Sequence, residues 1–405
     1  MPTSTHKKTE SELPPGQLIA LCLGSLLALC VYYFNYGITF DEGHIEGASP
    51  FTMLLRLLSI ALIVWSLRPF NFRFNSLALL TILYVASATS FLLSILISGE
   101  SNDILFFNNL LQLPVLIALS ATTQKINYAR WLRFIGVVLA LQVIIDAMIW
   151  LTGASLWLSE AFIGGVGNPS SFGFLCCLLV AFFLFHPKAG PIRWVFVLVL
   201  AVGVVMSKSL FAVIALGIVY IAWMLFGWRR IILSVVTIGA GAFGVTTLLY
   251  NNDFGQIAFI EHKLNAVGAL IGLMDYDVDS SASVSLRVAI HEQTFTAIAQ
   301  DPFRLIYGHL EGKQYWPMDS QFLTYLGSFG VIILAGYIFL HITWLRDAIR
   351  SRNRNINGVF NFFALLIFGL IFFTNRILDY FPVAIIYFML ISMVTQTGRR
   401  RRLDQ

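Results

Sequence analysis

Arg287 and His291 stand four residues apart in "VSLRVAIHEQTFTAIAQ", residues 284–300. Apolar residues recur here at helical spacing, so the stretch reads as an amphipathic helix carrying both side chains on one face. A guanidinium fork binds phosphate oxygens two at a time, and an imidazole accepts a proton near neutral pH. Asp319, in "WPMDSQF", adds a carboxylate able to take a proton from an attacking hydroxyl. Asp319 or Ser320 also suits the N-cap of the apolar helix that follows. His291 and His309 are alternative bases, or ordinary loop histidines. This chemistry is proton removal from a hydroxyl beside a bound anion.

A second cation stands apart from these. Lys208, in "VVMSKSLFAV", is the only charge between Val195 and Phe226. As one helix that run would be about 48 Å long, against a hydrocarbon layer of about 30 Å. The run must fold back, with Ser207-Lys208-Ser209 as its turn, which puts Lys208 at a membrane surface.

The composition demands the membrane. The 405 residues are 58% hydrophobic and only 12% charged, where soluble domains carry about 25% charged residues. Hydropathy marks about twelve spans: residues 17–36, 51–67, 76–97, 104–121, 132–152, 171–186, 193–206, 210–227, 231–250, 322–343, 358–373 and 381–397. They form one domain, 1–405. The polar N-terminus leads into a first span without a cleavage site for a signal peptide. The four cysteines lie in apolar stretches without metal or disulfide spacing.

Lys and Arg in short loops orient such a chain. With the N-terminus inside, cytoplasmic segments hold nineteen of the 26 Lys and Arg residues, and both termini are cytoplasmic. The net charge of +5 follows from this sidedness and not from nucleic-acid binding. The seven exceptions are Arg56, Lys208, Lys263, Arg287, Arg304, Lys313 and Arg376. All fall on the outer side or just below its surface, several of them in the long outer loop 251–321 between spans nine and ten. Cations there suit an anionic lipid headgroup, and a lipid pyrophosphate fits them. Arg56 lies within its span at a depth similar to Asp146, so the two form an ion pair or Arg56 meets a ligand. Arg376 and Asp379 also have the spacing to pair.

Other signals are weak. "DYDVDSSAS" (275–283) fails the calcium-loop pattern at its sixth and twelfth positions, so no metal is expected. No nucleotide-binding glycine loop or Ser/His/Asp arrangement stands out. "GGVGNPSSFG" (164–173) breaks the chain before the sixth span. Trp157, Tyr307, Tyr315 and Trp316 suit interface anchoring or stacking on sugar rings.

Taken in order, these segments resemble the O-antigen polymerase and ligase superfamily of bacterial envelopes. In that family a Gly-Asn-Pro-Asn-like segment opens a span; here it is Gly167-Asn168-Pro169-Ser170, with Gly173 after. A short Ser-Arg turn joins the next two spans; here it is Ser207-Lys208-Ser209, with Lys for Arg. A large periplasmic loop follows, and Arg287, Pro302 and Gly308 match its order. The loop closes on Asp319-Ser320, then Phe322, Tyr325 and Gly327 or Gly330. The likeness covers residues 160–345. Ligases of the family typically carry His at the Asp319 position, so the departure favours a Wzy-type polymerase.

The resemblance implies a GT-C-like, all-α membrane fold and metal-independent, inverting glycosyl transfer at the periplasmic face of the inner membrane. Donor and acceptor are undecaprenyl-pyrophosphate-linked glycans, no cofactor is needed, and a chain-length regulator is an expected partner. It implies Asp319, His291 and Arg287 as catalytic residues. Arg56, Asn168, Lys208, Arg287, Arg304, His309 and Arg376 would bind substrate. A ligase attaching polymer to lipid A core is the near alternative. A flippase or transporter is the distant one, disfavoured by the lack of a repeat among the spans and by little intramembrane charge.

Overall fold

The computed structural model describes residues 12–35, 50–71, 74–98, 110–154, 157, 160–186, 192–225, 304–307, 320–351 and 358–403, with isolated positions between 265 and 300. Among the described residues every extended element is a helix, joined by two isolated β-bridges. Lipid offers no partner to a bare peptide group, so helices are what an apolar chain of this kind can form there.

The helices are α1 (Pro15–Cys30), α2 (Pro50–Ser66), α3 (Ser76–Ser98), α4 (Leu113–Ala121), α5 (Tyr128–Leu151) and α6 (Pro169–Phe185). They continue with α7 (Arg193–Met206), α8 (Leu210–Leu225), α9 (Arg304–Tyr307), α10 (Gln321–Ser351), α11 (Gly358–Phe372) and α12 (Phe381–Leu403). A 3-10 turn, Val31–Asn35, extends α1. Among the described residues three segments are long and apolar enough to cross a membrane: Pro15–Phe34, Tyr128–Leu151 and Gln321–Ser351. Shorter apolar helices stand at most of the other expected spans. Only the nine-residue α4 is described within 104–121, and 231–250 lies outside the described residues.

Two helices make the centre. α6 is buried on every face from Ser171 to Leu184. α12 is buried from Phe381 to Val394 and packs against α1, α3, α4, α10 and α11. A helix apolar all round belongs in such a place. The outer helices turn apolar stripes away from the core, as Leu54, Leu57 and Leu58 do on α2 and Leu141, Ile144, Ile145 and Met148 on α5. α1 and α2 approach closely at Gly24, where a Cβ would stand 2.7 Å from Ile63 Cγ1 and Ser59 Oγ donates to the Gly24 carbonyl at 2.7 Å. Small residues drive such contacts in lipid.

α10 is interrupted. Gly330 has φ 81° and ψ 173°, a region that essentially only glycine enters. The break separates a short piece, 321–329, from the longer helix behind it, and the rings of Tyr325 and Tyr337 meet across it at 4.4 Å. Of the long outer loop, α9 packs against α10.

Candidate functional site

Three motif segments that are far apart in sequence meet at one end of the bundle. Asn168 caps α6 by accepting a hydrogen bond from the Ser171 amide at 3.0 Å, with Pro169 in the first turn. Its Nδ2 donates to Tyr380 Oη at 2.8 Å, across to the turn between α11 and α12. That turn carries Arg376 and Asp379, which form an ion pair at 3.5 Å. One turn into α6, Gly173 lies against Ser207, and a Cβ there would run into the serine hydroxyl. The Gly-Asn-Pro segment and the Ser-Lys-Ser turn are therefore in direct contact.

Arg56 joins from α2. It is only 4% exposed, donates to Tyr32 Oη at 3.2 Å and lies over the Tyr32 ring at 5.6 Å. The Tyr32 ring packs on Gly167, whose φ of +79° and lack of a Cβ both serve that contact. Arg56 thus reaches the Gly-Asn-Pro segment through one tyrosine.

Asp146 does not pair with Arg56, and one of the two sequence expectations falls here. Its Oδ1 accepts from Tyr33 Oη at 2.9 Å, and its Oδ2 accepts from the amides of Ile163 and Gly164 at 2.9 and 2.8 Å. One helical turn earlier Gln142 donates to the Leu29 carbonyl at 2.9 Å and accepts from the Gly165 amide at 3.3 Å. Hydropathy gives depth but not rotation about the helix axis, and α5 is turned so that both side chains hold the loop before α6. Neither Gln142 nor Tyr33 stands out in the sequence as functional. Their signal was the four-residue spacing of two polar side chains inside an apolar span.

The Ser207-Lys208-Ser209 turn joins α7 and α8 as expected. Ser207 Oγ donates to the Val204 carbonyl at 2.7 Å, and Ser209 Oγ accepts from the Ala212 amide at 3.4 Å. The Phe162 amide donates to the Met206 carbonyl at 2.9 Å and ties the turn to the loop that Asp146 holds. Lys208 itself has φ 52°. Half-burial of its ammonium pulls its pKa below the ordinary 10.5, and the nearby Glu160 carboxylate acts in the opposite direction. Glu160 has φ 56°, so the two non-glycine residues of positive φ among those described are electrostatic partners. Such a conformation costs about 1–2 kcal/mol in an ordinary side chain, and it concentrates where function requires it.

Ser320 caps α10: its Oγ accepts from the Leu323 amide at 3.3 Å and donates to the Phe372 carbonyl at 3.1 Å. Gln321 Oε1 accepts from the Leu378 amide at 3.1 Å, which brings this helix start to the Arg376 turn. The structure therefore gathers Arg56, Asn168, Lys208 and Arg376 around one end of the bundle. Arg304 opens α9, whose backbone lies against α10. Arg287, His291, His309, Asp319, Lys263, Lys313 and the 275–283 stretch lie outside the described residues. No known protein family matches this chain, and no curated protein sequence matches it.

Proposed function

We propose that this protein is a polysaccharide polymerase acting at the periplasmic face of a bacterial inner membrane, with both termini cytoplasmic. The observation that supports this most is Lys208: a half-buried cation held at positive φ, in a turn packed onto the Gly-Asn-Pro segment. A residue present only to make that turn would be better as glycine. The Glu160 carboxylate is one anionic neighbour of that ammonium, and the anion we propose binds beside the pair.

The substrates are two undecaprenyl-pyrophosphate-linked glycans. The hydroxyl at the non-reducing end of one attacks the anomeric carbon of the other. A new carbon–oxygen bond forms to the acceptor, and the bond to the pyrophosphate oxygen breaks. Asp319 or His291 takes the hydroxyl proton, and undecaprenyl pyrophosphate leaves as an anion. Lys208, Arg56 and Arg287 stabilise the charge that grows on it, with Arg304 and Arg376 farther out. Arg376 already has Asp379 as a partner, so it contributes less. Asn168 spends its amide on the α6 cap and on Tyr380, so it shapes the site and holds two of its turns together. His309 is left as a contact to the glycan. A chain-length regulator would act from outside this machinery.

The glycan ladder of the native host tests the proposal. Deletion of the gene should leave single repeat units on the lipid anchor, and wild type should restore long chains. Loss of all attached glycan with accumulation of lipid-linked polymer would make the protein a ligase. An unchanged ladder would end the glycan reading.

A further inference from the structure

Leu378 sits in the middle of the turn between α11 and α12, and that turn is gripped from outside. Its own bonds run from the Asp379 amide to the Arg376 carbonyl at 3.1 Å and from the Tyr380 amide to the Ile377 carbonyl at 3.2 Å. The peptide groups of Leu378 go elsewhere. Its amide donates to Gln321 Oε1 at 3.1 Å, and its carbonyl accepts from Gln112 Nε2 at 3.2 Å. Gln321 opens α10 and Gln112 is the N-cap residue of α4, so two separate helices hold one residue by both of its polar backbone groups. Gln112, Gln321 and Leu378 are all buried. Burying an amide is costly unless its groups are bonded. Gln321 bears part of that cost, because its Nε2 has no hydrogen-bond partner among the described residues. A methionine would fill much the same space without an idle donor. It would lack the oxygen that meets the Leu378 amide.

The grip matters because of what adjoins it. Arg376 precedes the held turn, and Tyr380, which follows it, accepts the hydrogen bond from Asn168. Gln321 stands two residues after Asp319, a candidate base. The two glutamines therefore couple the start of α10, the cation turn and the Gly-Asn-Pro segment. Glycosyl transfer needs its proton acceptor and its leaving-group cations at a fixed separation. A misplacement of about 1 Å can cost about a hundredfold in rate.

We infer that Gln112 and Gln321 are positioning residues of the transfer: together they clamp Leu378 and fix the Arg376–Tyr380 turn against the start of α10. This rests on the polymerase reading above. It adds two residues that touch no substrate and act through the backbone they hold.

The test uses the purified full chain in detergent and two readouts. Gln112→Met and Gln321→Met each remove one amide and keep most of its volume. Hydrogen exchange at residues 377–380 should speed up about tenfold in both, the scale of one lost hydrogen bond. With the host's lipid-linked repeat unit as substrate, kcat should fall about tenfold in each, while KM stays within about threefold. The double variant should lose little more than the worse single one, because both bonds hold one residue. Gln321→Glu keeps an oxygen for the Leu378 amide and should retain more kcat than Gln321→Met. Thr122→Val removes the buried bond to the Leu67 carbonyl at the other end of the bundle and should alter neither readout. Unchanged exchange in both methionine variants overturns the clamp. So does an equal loss of kcat in Thr122→Val, a raised KM with kcat unchanged, or losses that multiply in the double variant. The two ideas fail separately. If wild type elongates nothing while exchange speeds up as expected, the polymerase reading falls and the clamp stands. If wild type elongates and both methionine variants keep its kcat, the positioning role falls alone.

Discussion

The two ends of the bundle treat polar groups differently. At the end where Lys125 lies, side chains bind exposed or loop backbone. Gln17 donates to the Arg68 carbonyl at 3.2 Å, Thr122 to the Leu67 carbonyl at 2.8 Å and Gln396 to the Gln124 carbonyl at 3.5 Å. Its ion pair, Lys125 with Glu12 at 3.9 Å, has side chains 39% and 64% exposed. At the opposite end the charges go inside: Arg56 and Asp146 are 4% and 3% exposed, and the Arg376–Asp379 side chains 14% and 6%. Charges taken out of water cost several kcal/mol each unless hydrogen-bonded. The first end is stitched for cohesion and its charges stay in solvent. The second carries a cost that cohesion alone does not require, and it is the end where Lys208 turns.

Substitutions can break this contrast, starting with the largest effect. Asp146→Ala would remove the carboxylate that accepts from the Tyr33 hydroxyl and from the Ile163 and Gly164 amides. At about 1–3 kcal/mol for a buried polar group that loses its acceptor, a loss of about 1–3 kcal/mol is the expectation. Thermal melting in detergent checks it, and a drop of under a degree would show that the loop does not depend on this carboxylate. Gly173→Ala drives a methyl group into Ser207 and should cost about 1–3 kcal/mol. Ser207→Gly in the same chain should recover part of that loss. Without recovery, the contact of the two motif segments is not what the glycine serves.

Lys208→Gly sharpens the comparison, because its two effects have opposite signs. Relief of the positive φ should raise stability by about 1 kcal/mol, while activity should be lost with the ammonium. The pH dependence follows from the same group. Its folded pKa lies below the ordinary 10.5. As pH rises through the interval below 10.5, the folded chain releases this proton before the unfolded chain does. Stability therefore increases across that interval, and activity that needs the cation declines there. Lys208→Arg should carry activity to higher pH, since a guanidinium stays charged. A profile unmoved by Lys208→Arg would remove the cation from the reaction. The smallest effect belongs to the other end. Lys125→Ala should change stability by under about 0.5 kcal/mol, as exposed pairs do, and leave the glycan ladder intact. A large loss there would erase the distinction between the ends.

Much of the fold was legible because lipid simplifies the code. Apolar length gave the helices, and the 48 Å that Val195–Phe226 would span as one helix, about, gave the turn at Ser207-Lys208-Ser209. The Gly and Pro of residues 164–173 marked the break before α6, while the Asn168 cap came from the structure. What stayed hidden is rotation and breakage. Asp146 and Arg56 lie at similar depth, and no hydropathy value says that α5 turns its carboxylate to Tyr33 and the Ile163–Gly164 amides. The kink at Gly330 was equally silent, since one glycine in an apolar run is compatible with a straight helix. Glu160 stands in none of the motif segments of the sequence. Its positive φ and its place beside Lys208 come from the folded loop.

The most direct measurement reconstitutes the purified chain in liposomes with the host's undecaprenyl-pyrophosphate-linked repeat unit and no added metal, and follows product length by gel. Wild type should build a ladder and release undecaprenyl pyrophosphate, while Lys208→Gly, folded and at least as stable, should build none. A ladder of wild-type length from Lys208→Gly would contradict the account, since it would make the lysine no more than a residue in a turn.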